Sequence, residues 1–362
     1  MLSTLIVVAT AISLDAATCE SLQSLSLPDT TILTAALVPA GPFTPPTTPA
    51  APKPATFQIP VAMCRVAGVV TPQVTFEVWM PATSAEASAE KVIAWNGKFQ
   101  GVGGGGFAGA ISYGAMVTAL GRGYATASTD TGHNTPGGAW ALNRPDRITD
   151  YAYRAIHEMT IKSKQIVEAF YGNGPRLSYF VGCSTGGRQG LMEAQRFPAD
   201  YDGIVAGAPA NYWTHLMAGT LWPAAATLKE ESTRLSPAQL SALNKGAVAA
   251  CDAGDGVTDN LISNPLACTF DPGTLLCRGG SSDPPADTDA CLTAPQVDAA
   301  KKIYAYSVNP RTKGKIFAGM APGSEITWSA TAGGPNPFPI PVEFYKYFVY
   351  SNPDWDWKQF DF

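Results

Sequence analysis

A serine set among glycines, where an apolar strand turns into a helix, constrains this chain more than any other feature. The stretch LSYFVGCSTGGRQGLMEAQRF, Leu177 to Phe197, reads in order as strand, turn and helix. Within it Gly182-Cys183-Ser184-Thr185-Gly186 fits G-x-S-x-G, and the flanks are those of a nucleophile elbow, which lifts the serine hydroxyl above a parallel sheet. Glycines are required because side chains at those positions would collide in so tight a bend. Ser184 is the expected nucleophile, and the Thr185 amide at the helix start is expected to face a developing oxyanion.

The elbow implies a sheet around it. Val74, Phe76, Val78 and Met80 alternate as in a strand, and KVIAWNG and GYATASTD are apolar runs that end in turn residues. Apolar positions Ile156, Met159, Ile166, Val167 and Phe170 recur at helical spacing over Tyr151 to Tyr171, before Gly172-Asn173-Gly174-Pro175 ends the helix. LSYFVG, the elbow helix and GIVAGAP follow. The alternation predicts an α/β fold with a mostly parallel sheet. After Pro209 the pattern changes to Trp-, Ala- and Pro-rich segments without further alternation, so 18–209 reads as the core and 210–362 as a lid-like second domain. The run from Val38 to Pro54, VPAGPFTPPTTPAAPKP, reads as an extended arm or surface loop with no chemistry.

A second oxyanion donor is expected from a loop after an earlier strand, where GVGGGG, Gly101 to Gly106, supplies Gly105 or Gly106. A phosphate cradle is disfavoured, because no Lys-Ser/Thr follows and no G-x-G-x-x-G pairs with a later acid. The base is harder to find. In this architecture acid and histidine follow the serine, yet only His215 of the three histidines lies beyond Ser184, too soon for later sheet strands to intervene. It reads as a lid-surface or hinge residue. His133, in STDTGH, reads as a turn residue or substrate contact, or as the base of an atypical hydrolase, while His157 reads as a packed or capping residue within its helix.

Seven cysteines without a CxxC argue for disulfides in an oxidising compartment. The spacings suggest Cys19/Cys64, Cys251/Cys268 and Cys277/Cys291, which leaves Cys183 alone. The start, MLSTLIVVATAISLDAATC, has the apolar run and small residues of a secretory signal over 1–17, although no Lys or Arg precedes Lys53. Secretion or a periplasmic location is therefore expected. A net charge of −5 with no basic cluster argues against nucleic acid and anionic membranes as partners and favours small or neutral substrates. In CDAGDGVTDNL, the carboxylates of Asp252, Asp255 and Asp259 with the carbonyls of Val257 and Leu261 offer hard oxygens, and Gly254 and Gly256 let a short loop wrap one Ca²⁺ ion; the alternative is a solvated acidic turn.

YFVGCSTGGRQGLMEAQRFPADYDGIVAGAPA, WNGKFQGVGGGG, TDTGH, CDAGDGVTDNLISNP and the closing NPDWDWKQFDF together resemble the tannase and feruloyl esterase family, which also contains the hydrolase of mono(2-hydroxyethyl) terephthalate. The resemblance runs from about Cys64 to Phe362. It implies an α/β-hydrolase core with a large inserted lid, a serine esterase acting on aromatic-acid esters such as those of hydroxycinnamic or gallic acid, and an oxyanion hole formed by Thr185 with Gly106. It also implies a structural calcium on the acidic loop. Family members bond the cysteine before the nucleophile to one directly after the catalytic histidine, and that second cysteine has no counterpart here. The family's acid and histidine would follow the FDF segment, so a C-terminally truncated chain with its final core strands missing is expected. An inactive calcium-binding fragment is then the alternative to an active esterase.

Overall fold

The computed structural model describes residues 17–83, 93–277 and 290–360, so most of the expected signal segment lies outside the described residues. The chain divides into two compact units, Met1–Asn211 and Tyr212–Phe362.

Among the described residues the first unit has nine strands: β1 (Thr30–Val38), β2 (Gly41–Phe43), β3 (Phe57–Ile59), β4 (Met63–Val70), β5 (Val74–Pro81), β6 (Lys98–Val102), β7 (Ala125–Thr129), β8 (Leu177–Cys183) and β9 (Gly203–Gly207). Its helices are α1 (Tyr113–Leu120), α2 (Pro145–Thr149), α3 (Ala155–Tyr171) and α4 (Thr185–Arg196). Seven strands form one sheet in the order β1-β4-β5-β7-β6-β8-β9. The half that carries the serine turn is parallel, β7-β6-β8-β9, because helical crossovers connect its strands. The other half, β1-β4-β5-β7, is antiparallel, as its short connections between β4 and β5 allow.

Both faces of this sheet are covered. Phe76, Val78, Phe99 and Phe180 point to one face, where α3 packs through Ile156, Met159, Ile166, Val167 and Phe170. Trp79 and Val102 point to the other, against Met116 and Leu120 of α1. Each such aliphatic or aromatic side chain contributes roughly 1.5–3 kcal/mol when fully buried.

Three local expectations change. KVIAWNG is not the strand: Ile93–Gly97 is irregular and pairing begins at Lys98, because Asn96 folds back to accept the Lys98 N–H at 2.9 Å; Lys91 and Val92 lie outside the described residues. The helix begins with a π turn at Asp150–Arg154 and becomes regular only at Ala155. The proline-rich arm is not featureless, since β2 within it pairs with β3, and Pro45, Thr48 and Pro54 help to wall a cavity of about 450 Å³ that reaches Arg65, Glu77 and Tyr113.

The second unit is mainly helical: α5 (Trp213–Thr227), α6 (Pro237–Cys251), α7 (Ala294–Tyr304) and α8 (Pro339–Glu343), with a small hairpin of β10 (Ser307–Val308) and β11 (Lys315–Phe317). Capping boxes open α6 at Ser236/Gln239 and α7 at Thr293/Gln296. Gln239 also donates to Gln296 at 2.8 Å, tying the two helix starts together. Leu240, Leu243, Val297, Ile303 and Trp328 form its core. Disulfides Cys19–Cys64, Cys251–Cys268 and Cys277–Cys291 form as the spacings suggest, and Cys183 is free and exposed.

Candidate active site

Ser184 sits between the end of β8 and the start of α4 with φ +59° and ψ −118°. Non-glycine residues reach such a conformation at a cost of about 1–3 kcal/mol, and only where the surroundings leave no alternative. Here they leave none. The Ser184 N–H donates to Gly207 O at 3.0 Å, while its carbonyl accepts from Arg188 N at 3.0 Å and Ala210 N at 2.9 Å. A Cβ on Gly182 would stand 2.4 Å from the Gly186 main chain, and one on Gly187 would stand 2.4 Å from Gly207 O. Gly182 of the motif and Gly187 just after it are thus dictated by backbone touching backbone, and the exposed Ser184 side chain is what the turn presents.

The glycine loop lies against this turn. Gly101 and Val102 belong to β6, so the loop itself starts at Gly103, whose N–H donates to Val181 O at 3.0 Å. A Cβ on Gly103 would meet Gly186 Cα at 2.6 Å. Gln189 of α4 accepts the Gly104 N–H at 3.0 Å. Gly106, with φ +55°, has its carbonyl held by two hydroxyls, Thr185 Oγ1 at 2.7 Å and Tyr151 OH at 3.0 Å. Fixing that carbonyl fixes the loop beside the start of α4. Gly106 and Thr185, the two expected donors, are therefore brought together. Arg188 secures the support by donating to the carbonyls of Ala152 and Tyr151 with its guanidinium over the Tyr151 ring.

The histidines are employed elsewhere. His133 is buried, stacks on Trp140, and sets Nε2 2.7 Å from Phe107 O and Nδ1 3.2 Å from Thr135 O. Burial pushes its pKa down to about 4, against the pull of the two carbonyls. It braces the loop that leads from Gly106, and with both nitrogens facing carbonyls it offers no lone pair to a serine. His157 is packed as expected, its ring stacked on Phe197 and Nδ1 2.6 Å from Asp200 Oδ2. His215 is at the start of α5, stacked on Tyr212 and bonded to Tyr212 OH and Thr214 Oγ1.

The family model for tannase and feruloyl esterase matches residues 59–337. The chain belongs to that family. As a member of it, the esterase-family chain is 40% identical over 317 residues to an uncharacterized esterase of Xanthomonas campestris pv. campestris, covering 86% of this chain and 51% of the relative. It is 35% identical to a probable feruloyl esterase B-2 of Neosartorya fischeri, covering 81% and 54%. The chain spans about half the length of the curated relatives it matches. The crystal structure of feruloyl esterase B from Aspergillus oryzae superposes with a TM-score of 0.85 at 29% identity, covering 95% of this chain and 67% of that one. Tannin acyl hydrolase from Aspergillus niger, 22% identical with a TM-score of 0.67 over 91% of this chain and 62% of its own, shares the fold.

On the acidic loop of this family member the donor chemistry suits a hard cation, since every candidate ligand is an oxygen. The carboxylates, however, are turned to the loop's own donors. Asp252 is buried and accepts the N–H groups of Asp259, Asn260 and Leu261. Asp255 accepts from Val257 N at 2.9 Å and Ser263 Oγ at 2.5 Å, bonds that hold its carboxyl below the usual range, and Asp259 accepts from Leu261 N at 3.1 Å. The expected ligands thus form a self-bonded turn within the Cys251–Cys268 loop, exposed except for Asp252, and not a gathered cage. Among the described residues, the group whose ligand atoms do converge is His157, Glu193 and Asp200. No sequence pattern pointed to it, nor to Tyr151 as the brace of Gly106; only the proximity of Thr185 to the motif serine made one of these contacts readable.

Proposed function

We propose that the chain is a serine carboxylesterase of the feruloyl esterase and tannase type, acting on small esters of aromatic acids. The observation that carries the reading is Ser184 at φ +59° beside Gly106 and Thr185. Ser184 Oγ attacks the ester carbonyl carbon and its proton passes to a base. The tetrahedral oxyanion is held by the N–H groups of Thr185 and Gly106, the alcohol departs as the acyl C–O bond breaks, and water releases the acid from the acyl-enzyme. His133 and His157 are held by other partners within the first unit, so neither is assigned as the base, and an atypical hydrolase using His133 finds no support. The three disulfides favour an oxidising compartment, secreted or periplasmic.

We also propose a structural role for Ca²⁺ at Asp252, Asp255 and Asp259 with the carbonyls of Val257 and Leu261, without part in the chemistry. Each carboxylate keeps lone pairs free beside its amide bonds, so Ca²⁺ bound to the folded loop is expected to raise the Tm of the wild type and not that of Asp252→Asn. An equal rise in both removes this site.

A fluorophosphonate probe followed by peptide mass spectrometry tests the nucleophile. The expected result is one adduct, on Ser184, absent from Ser184→Ala. An adduct on another residue in the wild type, or none after prolonged exposure to excess probe, overturns the reading.

A further inference from the structure

Away from Ser184, α3, α4 and the turn before β9 converge on a second polar cluster. His157 comes from α3, Glu193 from the last turns of α4, and Asp200 from the segment between α4 and β9. One ligand atom from each lies within 4.8 Å of the other two. Glu193 is the unusual member. It is 1% exposed, and neither carboxylate oxygen accepts from an N–H or O–H donor; the group it faces is the Asp200 carboxylate. A carboxylate stripped of water and given no donor is expensive, and one set beside a second carboxylate is more so. The nearby cation does not relieve it, because Lys164 donates to the Asp200 main-chain carbonyl. A buried polar group without a partner calls for an explanation, and a missing ion is one of the few available.

We propose that His157, Glu193 and Asp200 bind one divalent transition-metal ion of the zinc class. One imidazole nitrogen with carboxylate oxygens is a donor set suited to Zn²⁺ or Co²⁺, and the nitrogen disfavours Ca²⁺ and Mg²⁺. Two carboxylates match a double positive charge, so the ion neutralises the site and supplies Glu193 with the partner it lacks. His157, with its side chain 27% exposed, gives the ion a way in. The site is structural: it pins α3, the end of α4 and the approach to β9 to one another, and so steadies the helix whose first turn carries Thr185.

Co²⁺ absorption spectroscopy tests this on the full chain, stripped by chelator and returned to excess Ca²⁺ so that the acidic loop is not the reporter. The expected result is a d–d band that saturates at one equivalent and is competed away by Zn²⁺. Glu193→Gln, which keeps the shape, and His157→Gln, at a partly exposed position, should each weaken binding by at least about tenfold. Cys183→Ser should leave the band unchanged. Absence of a saturable band in the wild type overturns the site. So does its loss in Cys183→Ser, or its survival within about twofold in His157→Gln, the variant that decides if Glu193→Gln fails to fold.

Discussion

The turn that carries Ser184 and the loop that carries Asp252 are both short, glycine-bearing and open to solvent, yet they are held by opposite means. At the serine turn main chain presses on main chain. Gly182, Gly187 and Gly103 each stand where a Cβ would come within 2.6 Å of another residue's backbone. At the acidic loop a Cβ on Gly254 or Gly256 would meet nothing within 4 Å. There the conformation rests on side-chain carboxylates accepting main-chain N–H groups and on the disulfide Cys251–Cys268, 17 residues apart. Sterics fix the first, and hydrogen bonds and a staple fix the second. The two should therefore fail under different substitutions.

The largest effect is expected at Gly182. Gly182→Ala drives a methyl into Gly186 at 2.4 Å, and neither side is a flexible side chain that can move away. A loss of about 3 kcal/mol or more is expected, at the upper end for overpacking, read as a shift of the urea midpoint. A loss under about 1 kcal/mol would mean that the turn is pliable and that Ser184 is not forced into its conformation.

Opening the staple comes next. Cys251→Ser with Cys268→Ser releases a loop closure that contributes about 3 kcal/mol by chain entropy. The comparison sharpens if urea then exposes the second unit to proteolysis before the first. It breaks if both units are cut together.

His133 provides a pH test of the serine side. Its folded pKa lies near 4, below the ordinary 6.5, because burial disfavours the imidazolium. The unfolded chain therefore takes up a proton that the folded one refuses. This contribution is whole above 6.5 and is lost as pH falls from 6.5 toward 4, at a total of about 3 kcal/mol. His133→Gln should flatten the dependence of the urea midpoint on pH across that window. An unchanged slope would show that the ring is not held neutral beneath the Gly106 loop.

The same contrast explains what the sequence could disclose. Steric necessity writes itself into adjacent positions, so Gly182 through Gly187, between an apolar strand and an amphipathic helix, revealed turn, strand and helix together. The parallel half of the sheet follows from that alternation, whereas the antiparallel half, made of ordinary alternating strands, gave no order of pairing. Contacts made at long range leave no local trace. Tyr151 reaches Gly106 across 45 positions, and His157 reaches Asp200 across 43. The acidic loop lies between these cases: its composition names the oxygens, but whether they turn inward to an ion or back to their own amides is a matter of a few torsions.

The smallest effect is the most discriminating. Gly254 lies in the short 3-10 turn from Asp252 to Asp255, its φ is not positive, and the space where a Cβ would go is empty. Gly254→Ala should change stability by no more than about 0.5 kcal/mol, since an exposed substitution without backbone strain touches nothing. Gly256 is the internal control: its φ of +90° strains any L side chain, so Gly256→Ala should cost more although it too has open space around it. If Gly254→Ala proves as damaging as Gly182→Ala, the acidic loop is packed against something that its own hydrogen bonds do not reveal. The division between a turn fixed by collision and a loop fixed by hydrogen bonds and a staple would then be wrong.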